Sequence, residues 1–401
     1  MRKEIAVIAA AALASFLASF LIAAVLLPSL TGGRITTVTT TLSVTSPQTE
    51  DEYLKSTEAL LGRVVEWVEG FRGLELREEV EVIALTRSWV VEHWGKGFLN
   101  RTEVEIDEVL LKSLLMVPRD FNLTRFRIGF SGYTVAASSD HRIYVVREYF
   151  DPRNELRAGA TLAHELTHVL QGEYFSTPRP STSDEEAALA ALIEGDANLV
   201  SSTYLLEHGG KPFRMRESEL TPLDALPFFP YIYGEPFVRY VYERRGWDGV
   251  NEMYRDPPTS TAQVLHPEKY LEGWKPVKPD LPSPPGEGWR LLLRDTLGEY
   301  FVRQLIRAHL DSAAANRSAE GWLGDRVEIY ERDGLYLVRW KLVWEDGREL
   351  SEFLSAFEQV LEDAGARRSE EDLWSLEGER IQVQRVSENA LLITIHFEAN
   401  G

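Results

Sequence analysis

His164 and His168 stand four residues apart with Glu165 beside the first, in the run His164-Glu165-Leu166-Thr167-His168. Residues four apart on an α-helix are neighbours, so in a helix both imidazoles reach one metal ion. Glu165 then lies where a carboxylate can take a proton from a water on that ion, which is why H-E-x-x-H spacing suits zinc-assisted hydrolysis. The chain has only eight His in 401 residues, so a chance match is rare.

The flanking residues predict the helix. Asp151-Pro152 offers a capping side chain followed by proline, Gly172 offers a stop, and Leu156, Ala160, Ala163, Leu166, Val169 and Leu170 form an apolar stripe between them. Stretches 126–136 and 143–146 read as strands, so a sheet is expected against the motif helix.

The longer run Leu162-Ala163-His164-Glu165-Leu166-Thr167-His168-Val169-Leu170-Gln171 resembles the active-site helix of a zincin metallopeptidase. The metzincin branch would place Gly and His where this chain has Gln171 and Tyr174, so the resemblance is to the gluzincin branch. That resemblance implies Zn²⁺ held by His164, His168 and a Glu from a second helix, here within 184–208. Glu194 interrupts the small and apolar residues 187–193, and buried carboxylates are normally paired or metal-bound, so Glu194 is the expected third ligand. Glu173, Glu185 and Glu186 compete less well, standing in loop or first-turn positions where acids are ordinary. The gluzincin pattern often has an Asp four residues after this ligand; here Asn198 stands there and Asp196 two residues on. Either could orient a ligand His through its second nitrogen.

Related enzymes commonly hold the oxyanion of the intermediate with a His or Tyr. Residues 257–270, with Gly321-Trp322-Leu323-Gly324-Asp325-Arg326, resemble segments of uncharacterised predicted membrane-anchored metallopeptidases of archaea and bacteria. On that basis His266 is the expected donor, with Tyr233 behind it.

Residues 5–30 carry no charge after Arg2, Lys3 and Glu4, long enough for the roughly 20 apolar residues a membrane span needs. The basic residues before it predict a cytoplasmic tip at 1–4 and an extracytoplasmic remainder. Residues 31–51, rich in Ser and Thr, read as a stalk. A net charge of −20 argues against nucleic acid as a partner, and the absence of Cys removes disulfides. Beyond the stalk the expected units are a zincin-like domain at 52–275, a proline-rich linker at 276–288 and a small α+β domain at 289–401. Residues 52–108 read as helical. In the last unit a helix at 297–310 precedes strands at 327–330 and 335–344 joined at Asp333-Gly334, a hairpin signal, then a helix at 350–361 and strands at 381–386 and 390–396.

The expectation is thus an α+β chain with an N-terminal transmembrane helix, acting as a single-pass, membrane-anchored, extracytoplasmic zinc peptidase on peptide or protein substrates. In this reading Glu165 is the base, His266 the oxyanion donor, and His164, His168 and Glu194 the ligands. A catalytically silent zincin-fold scaffold, or a zinc amidase on a non-peptide substrate, would use the same residue types.

Overall fold

Two sheets of unequal size organise the chain, described by a computed structural model over residues 49–95, 100–131, 134–283 and 286–398. Helix α1 (Glu50–Arg72) starts at a capping box in which Thr49 and Glu52 satisfy each other's backbone amides. Its stripe of Leu60, Leu61, Val64 and Val68 is buried. Strand β1 (Glu81–Leu85) runs parallel to β3 (Arg142–Val146), and β2 (Ala136–Ser139) antiparallel to it, in the order β1-β3-β2. Between β1 and β2 come short α2 (Arg87–Val90), α3 (Arg101–Ser113) and α4 (Leu123–Ser131).

The motif helix α5 (Glu155–Tyr174) lays Ala158, Leu162, Ala163, Leu166 and Leu170 on this sheet and α1, forming one core. Helix α6 (Ser183–Glu207) is buried nearly all round, as expected for a helix with neighbours on several sides. It packs on α5 and on α7 (Pro222–Met253), which breaks at Gly246. Short α8 (Thr261–Leu265) and α9 (Pro267–Leu271) lead to the second half. There β4 (Arg290–Asp295), β5 (Trp322–Arg332), β6 (Leu335–Trp344), β7 (Arg367–Glu370), β8 (Leu373–Leu376), β9 (Glu379–Ser387) and β10 (Ala390–Glu398) form a sheet ordered β4-β5-β6-β10-β9-β8-β7. Helices α10 (Gly298–Arg307), α11 (Ser312–Ala319) and α12 (Gly347–Asp363) join its core, and so does α3 through Leu110 and Leu111. The two halves therefore interlock.

The expected transmembrane segment, 5–30, lies outside the described residues, as do 1–4 and most of the 31–51 stalk. Among the described residues no helix is long and apolar enough to cross a membrane. The reason is chemical: the longest, α7, carries Asp224, Glu235, Arg239, Glu243, Arg244 and Arg245, and such groups are costly in hydrocarbon. The fold class is corrected accordingly to a mixed α+β chain with no membrane-crossing helix among its described residues. The single-pass, extracytoplasmic placement is overturned with it.

Local differences have local causes. Residues 123–131 form helix, not strand, because Asn122 caps them, its Oδ1 accepting from the Arg125 amide at 2.7 Å. Helix α5 starts at an Asn154 cap instead of Asp151, and it continues past Gly172. The helical expectation for 52–108 is interrupted by β1, whose partner β3 is some sixty residues on and invisible to local periodicity. The linker is strapped to the large sheet, with the Val277 amide donating to Leu323 O at 2.8 Å and Lys341 Nζ to Asp280 O at 2.9 Å.

The runs 257–270 and 321–326 form the junction between the halves. Buried Asp184, in the first turn of α6, accepts from the Thr261 amide and hydroxyl at 2.8 and 2.6 Å, and burial pushes its carboxyl up to about 7. Asp325 accepts from the amides of Leu297 and Gly298 and from Trp340 Nε1 at 2.9–3.0 Å.

At the α6–α7 crossing a Cβ on Gly195 would meet Gly234 O at 2.3 Å, whereas one on exposed Gly62 of α1 would meet nothing. Gly195→Ala is expected to destabilise the protein by roughly 1–3 kcal/mol through overpacking. Gly62→Ala should be neutral or stabilise by up to about 1 kcal/mol through helix propensity. Denaturant unfolding of the two variants checks the pair, and equal midpoints would contradict the close crossing.

Candidate metal centre

Helix α5 is held by its Asn154 cap and by a stripe against the small sheet, which turns the opposite face toward α6. That face carries His164 and His168, with Nε2 atoms 3.0 Å apart. Glu194, midway along α6, brings its Oε2 to 3.4 Å from His164 Nε2 and 3.6 Å from His168 Nε2. Donors each about 2.0–2.2 Å from one tetrahedral ion are separated by about 3.3 Å, so the three atoms surround a point at the right distance. His164, His168 and Glu194 could hold a metal ion.

The electrostatics say the same. Neither oxygen of Glu194 has a hydrogen-bond partner, although the side chain is 1% exposed. Burial pushes its carboxyl up, but the His168 and His164 rings outweigh it and hold the group below its ordinary value. Burial pulls the His168 ring down, yet Glu194 above all carries it up to about 9. The pocket is thus built for positive charge, which is how buried carboxylates are normally accommodated. Glu165 is wholly enclosed; burial raises its pKa against the pull of His164, His168 and the Ser138 hydroxyl. One of its oxygens is unpartnered.

Support for His168 comes through a relay. Its Nδ1 meets Gln171 Oε1 at 2.8 Å, and Gln171 Nε2 donates to Ile193 O at 3.0 Å and to Asp196 Oδ2 at 3.3 Å. Asp196 also accepts from Tyr254 at 2.8 Å and is paired on both oxygens with Arg72 at 3.0 and 3.1 Å. Arg72 lies over the Trp247 ring at 4.3 Å. Of the two candidates for this role, Asp196 acts through Gln171, while Asn198 turns to a cavity with its Nδ2 unpartnered.

Two cavities flank the group. One of about 650 Å³ is lined by His164, Glu165, Asn198 and Tyr231, and one of about 370 Å³ by His168, Gln171 and Tyr254. Strand β2 borders both, Ala136 on the first and Ser138 and Ser139 on the second, and it is an edge strand. His266 lines neither cavity: its Nε2 is bound to Glu299 Oε1 of α10 at 2.8 Å. Tyr233 donates to Glu217 beside Arg303.

Tyr231 was missed by sequence reasoning. Its hydroxyl is buried and unpartnered, and burial, then the Glu194 and Glu165 carboxylates, push its pKa well above the usual phenol value. Residues two apart on a helix are about 200° apart around its axis, so Tyr233, in the run Tyr231-Ile232-Tyr233, lies on another face and lines neither cavity. Arg72 and Gln171 also escaped; only Gln171, three residues after His168 and so on its face, left a signal.

Asp196→Asn removes the charge opposite a fully buried Arg72. A loss of roughly 3–5 kcal/mol is expected, the cost of leaving a buried ion unpaired, read from urea unfolding; a change under 1 kcal/mol would contradict this role.

Residues 290–398, the span of the large sheet, match a family model described as a domain of unknown function (DUF8575); the His–Glu group lies outside it. No curated protein matches the chain. Among solved structures the chain is similar to a candidate hydrolase with a novel fold from Chloroflexus aurantiacus, at 18% identity and a TM-score of 0.39, over 57% of this chain and 92% of that one. So loose a likeness says nothing about chemistry.

Proposed function

We propose that the chain is a zinc-dependent peptidase of gluzincin type. The observation that carries this reading is the convergence of His164, His168 and the unpartnered Glu194 carboxylate on one point, beside the Glu165 carboxylate, with one oxygen unpartnered, and the unpartnered Tyr231 phenol. Zinc suits a donor set of two imidazoles and one carboxylate, an arrangement used in catalytic sites that keep a position open. When bound, it would supply Lewis acidity toward water and the scissile carbonyl.

The remaining work falls to the chain's own side chains. Glu165, its carboxyl raised by burial, accepts the proton of the attacking water and passes it to the leaving amine. Tyr231, un-ionised and facing the larger cavity, donates to the oxygen that gains charge; this role moves to it from His266. Asn198 Nδ2, buried and unpartnered on the same cavity, is a second donor to substrate. The position of β2 at the end of the small sheet, bordering both cavities, favours a peptide over a non-peptide amide, since an extended chain can be recognised along an edge strand.

Glu165→Gln should abolish hydrolysis of a peptide library while zinc content stays near that of the unmutated protein, because Glu165 acts as base and not as ligand. Glu194→Ala should lower zinc occupancy by metal analysis; full retention of metal would sink the ligand set. Tyr231→Phe is expected to lower kcat roughly 10²–10³-fold with little change in KM, the signature of a donor used mainly in the transition state. His266→Ala should not reproduce that loss. If the two variants exchange these outcomes, the donor has been misassigned.

A further inference from the structure

The larger cavity has a basic wall in an acidic protein. The chain carries 63 Asp and Glu against 43 Lys and Arg, yet this cavity is lined by Arg157, Lys211, Arg214 and Arg239 against Glu235 and Glu243, with Glu165 deeper at the metal group. Arg239 is committed, its guanidinium 2.6 Å from Glu235. Among the described residues Arg157, Lys211 and Arg214 have no carboxylate partner within ion-pair distance. The same lining includes the apolar residues Leu156, Leu205, Phe213, Met215 and Ile232.

The segment bearing Lys211 and Arg214 is fixed at both ends. The Gly210 amide donates to Leu205 O at 2.7 Å. Beyond the segment, Glu217 accepts from Tyr233, Arg303 and Gln304, and Arg307 donates to the carbonyls of Glu217 and Leu220. In the middle Met215 packs with Phe228 and Tyr231, which ties the basic wall to the helix carrying the proposed oxyanion donor. Glu217, the nearby acid, is already engaged by two arginines.

We propose that this wall selects substrates bearing a carboxylate near the bond to be cut, either an acidic side chain or the C-terminus of a peptide. Naming a peptide rests on the function proposed above. Uncompensated cations beside apolar side chains attract an anion from solution and hold it most strongly at low salt. Several such cations acting together should favour a carboxylate over its neutral amide by about tenfold, since exposed pairs contribute little individually.

The test is equilibrium binding, by calorimetry, to the zinc-loaded Glu165→Gln protein. The probes are N-acetyl-trialanine as free acid, the same peptide as its amide, and that amide with its middle residue replaced by aspartate or by asparagine. A roughly tenfold preference for the acid over the amide assigns the wall to a C-terminus, and the same preference for aspartate over asparagine assigns it to a side chain. Either should shrink in 1 M salt and vanish when Lys211→Glu and Arg214→Glu, both exposed positions, are combined. Equal binding of all four probes, binding of none, or a preference that survives the double substitution overturns the proposal. Cleavage of the four peptides by the unmutated protein is followed in parallel. Carboxylate preference without cleavage sinks the peptidase reading alone, and cleavage without preference sinks the wall alone.

Discussion

A buried carboxylate whose nearest charge partners are two imidazoles is the constraint around which this molecule is arranged. Glu194 sits in the interior of a helix closed in on several sides, where an isolated charge would cost many kcal/mol. Its tolerance there depends on positive charge between the His164 and His168 rings, and so on those rings being held in place. The Gln171 relay supplies that for His168. It passes to Asp196, a second buried carboxylate on the same helix, neutralised by Arg72. Helix α1 thus reaches the His164–His168–Glu194 group through one guanidinium. Two adjacent buried acids on α6 have different solutions, a protein cation for one and a cation-seeking pocket for the other, and the second is where chemistry can occur.

Geometry at the α6–α7 crossing serves the same end. Gly195, next to Glu194, and Gly234, three residues after Tyr231, remove the side chains that would hold the two helices apart. Backbone therefore meets backbone, and the Tyr231 hydroxyl is brought toward Glu194 and Glu165.

The second half of the chain contributes no residue to the His164–His168–Glu194 group, but it fixes elements that carry it. The start of α6 is seated on the end of β4, where the Asp184 amide donates to Thr296 O at 3.0 Å and the Ser183 amide to Asp295 Oδ1 at 2.8 Å. Arginines of α10 anchor the segment that borders the larger cavity. A sheet domain that reads as separate in sequence is, in space, the buttress of the site. The runs 257–270 and 321–326 lie in this interface, where Thr261 donates to Asp184 and His266 is bound to Glu299.

The sequence by itself determined what local rules govern. The four-residue spacing of His164 and His168, the interruption of an apolar helix by Glu194, and the Asp333-Gly334 hairpin each follow from helix or turn geometry within a short stretch, and each is found in the structure. The tertiary structure alone decided the rest, because it turns on contacts between distant residues. Arg72 is 124 positions from Asp196, β1 pairs with a strand some sixty residues on, and which of Tyr231 and Tyr233 meets the cavity depends on how α7 is rotated against its neighbours. His266 is spoken for by Glu299 on a later helix. Periodicity identifies a buried face, but what that face is buried against is fixed only when the chain closes on itself.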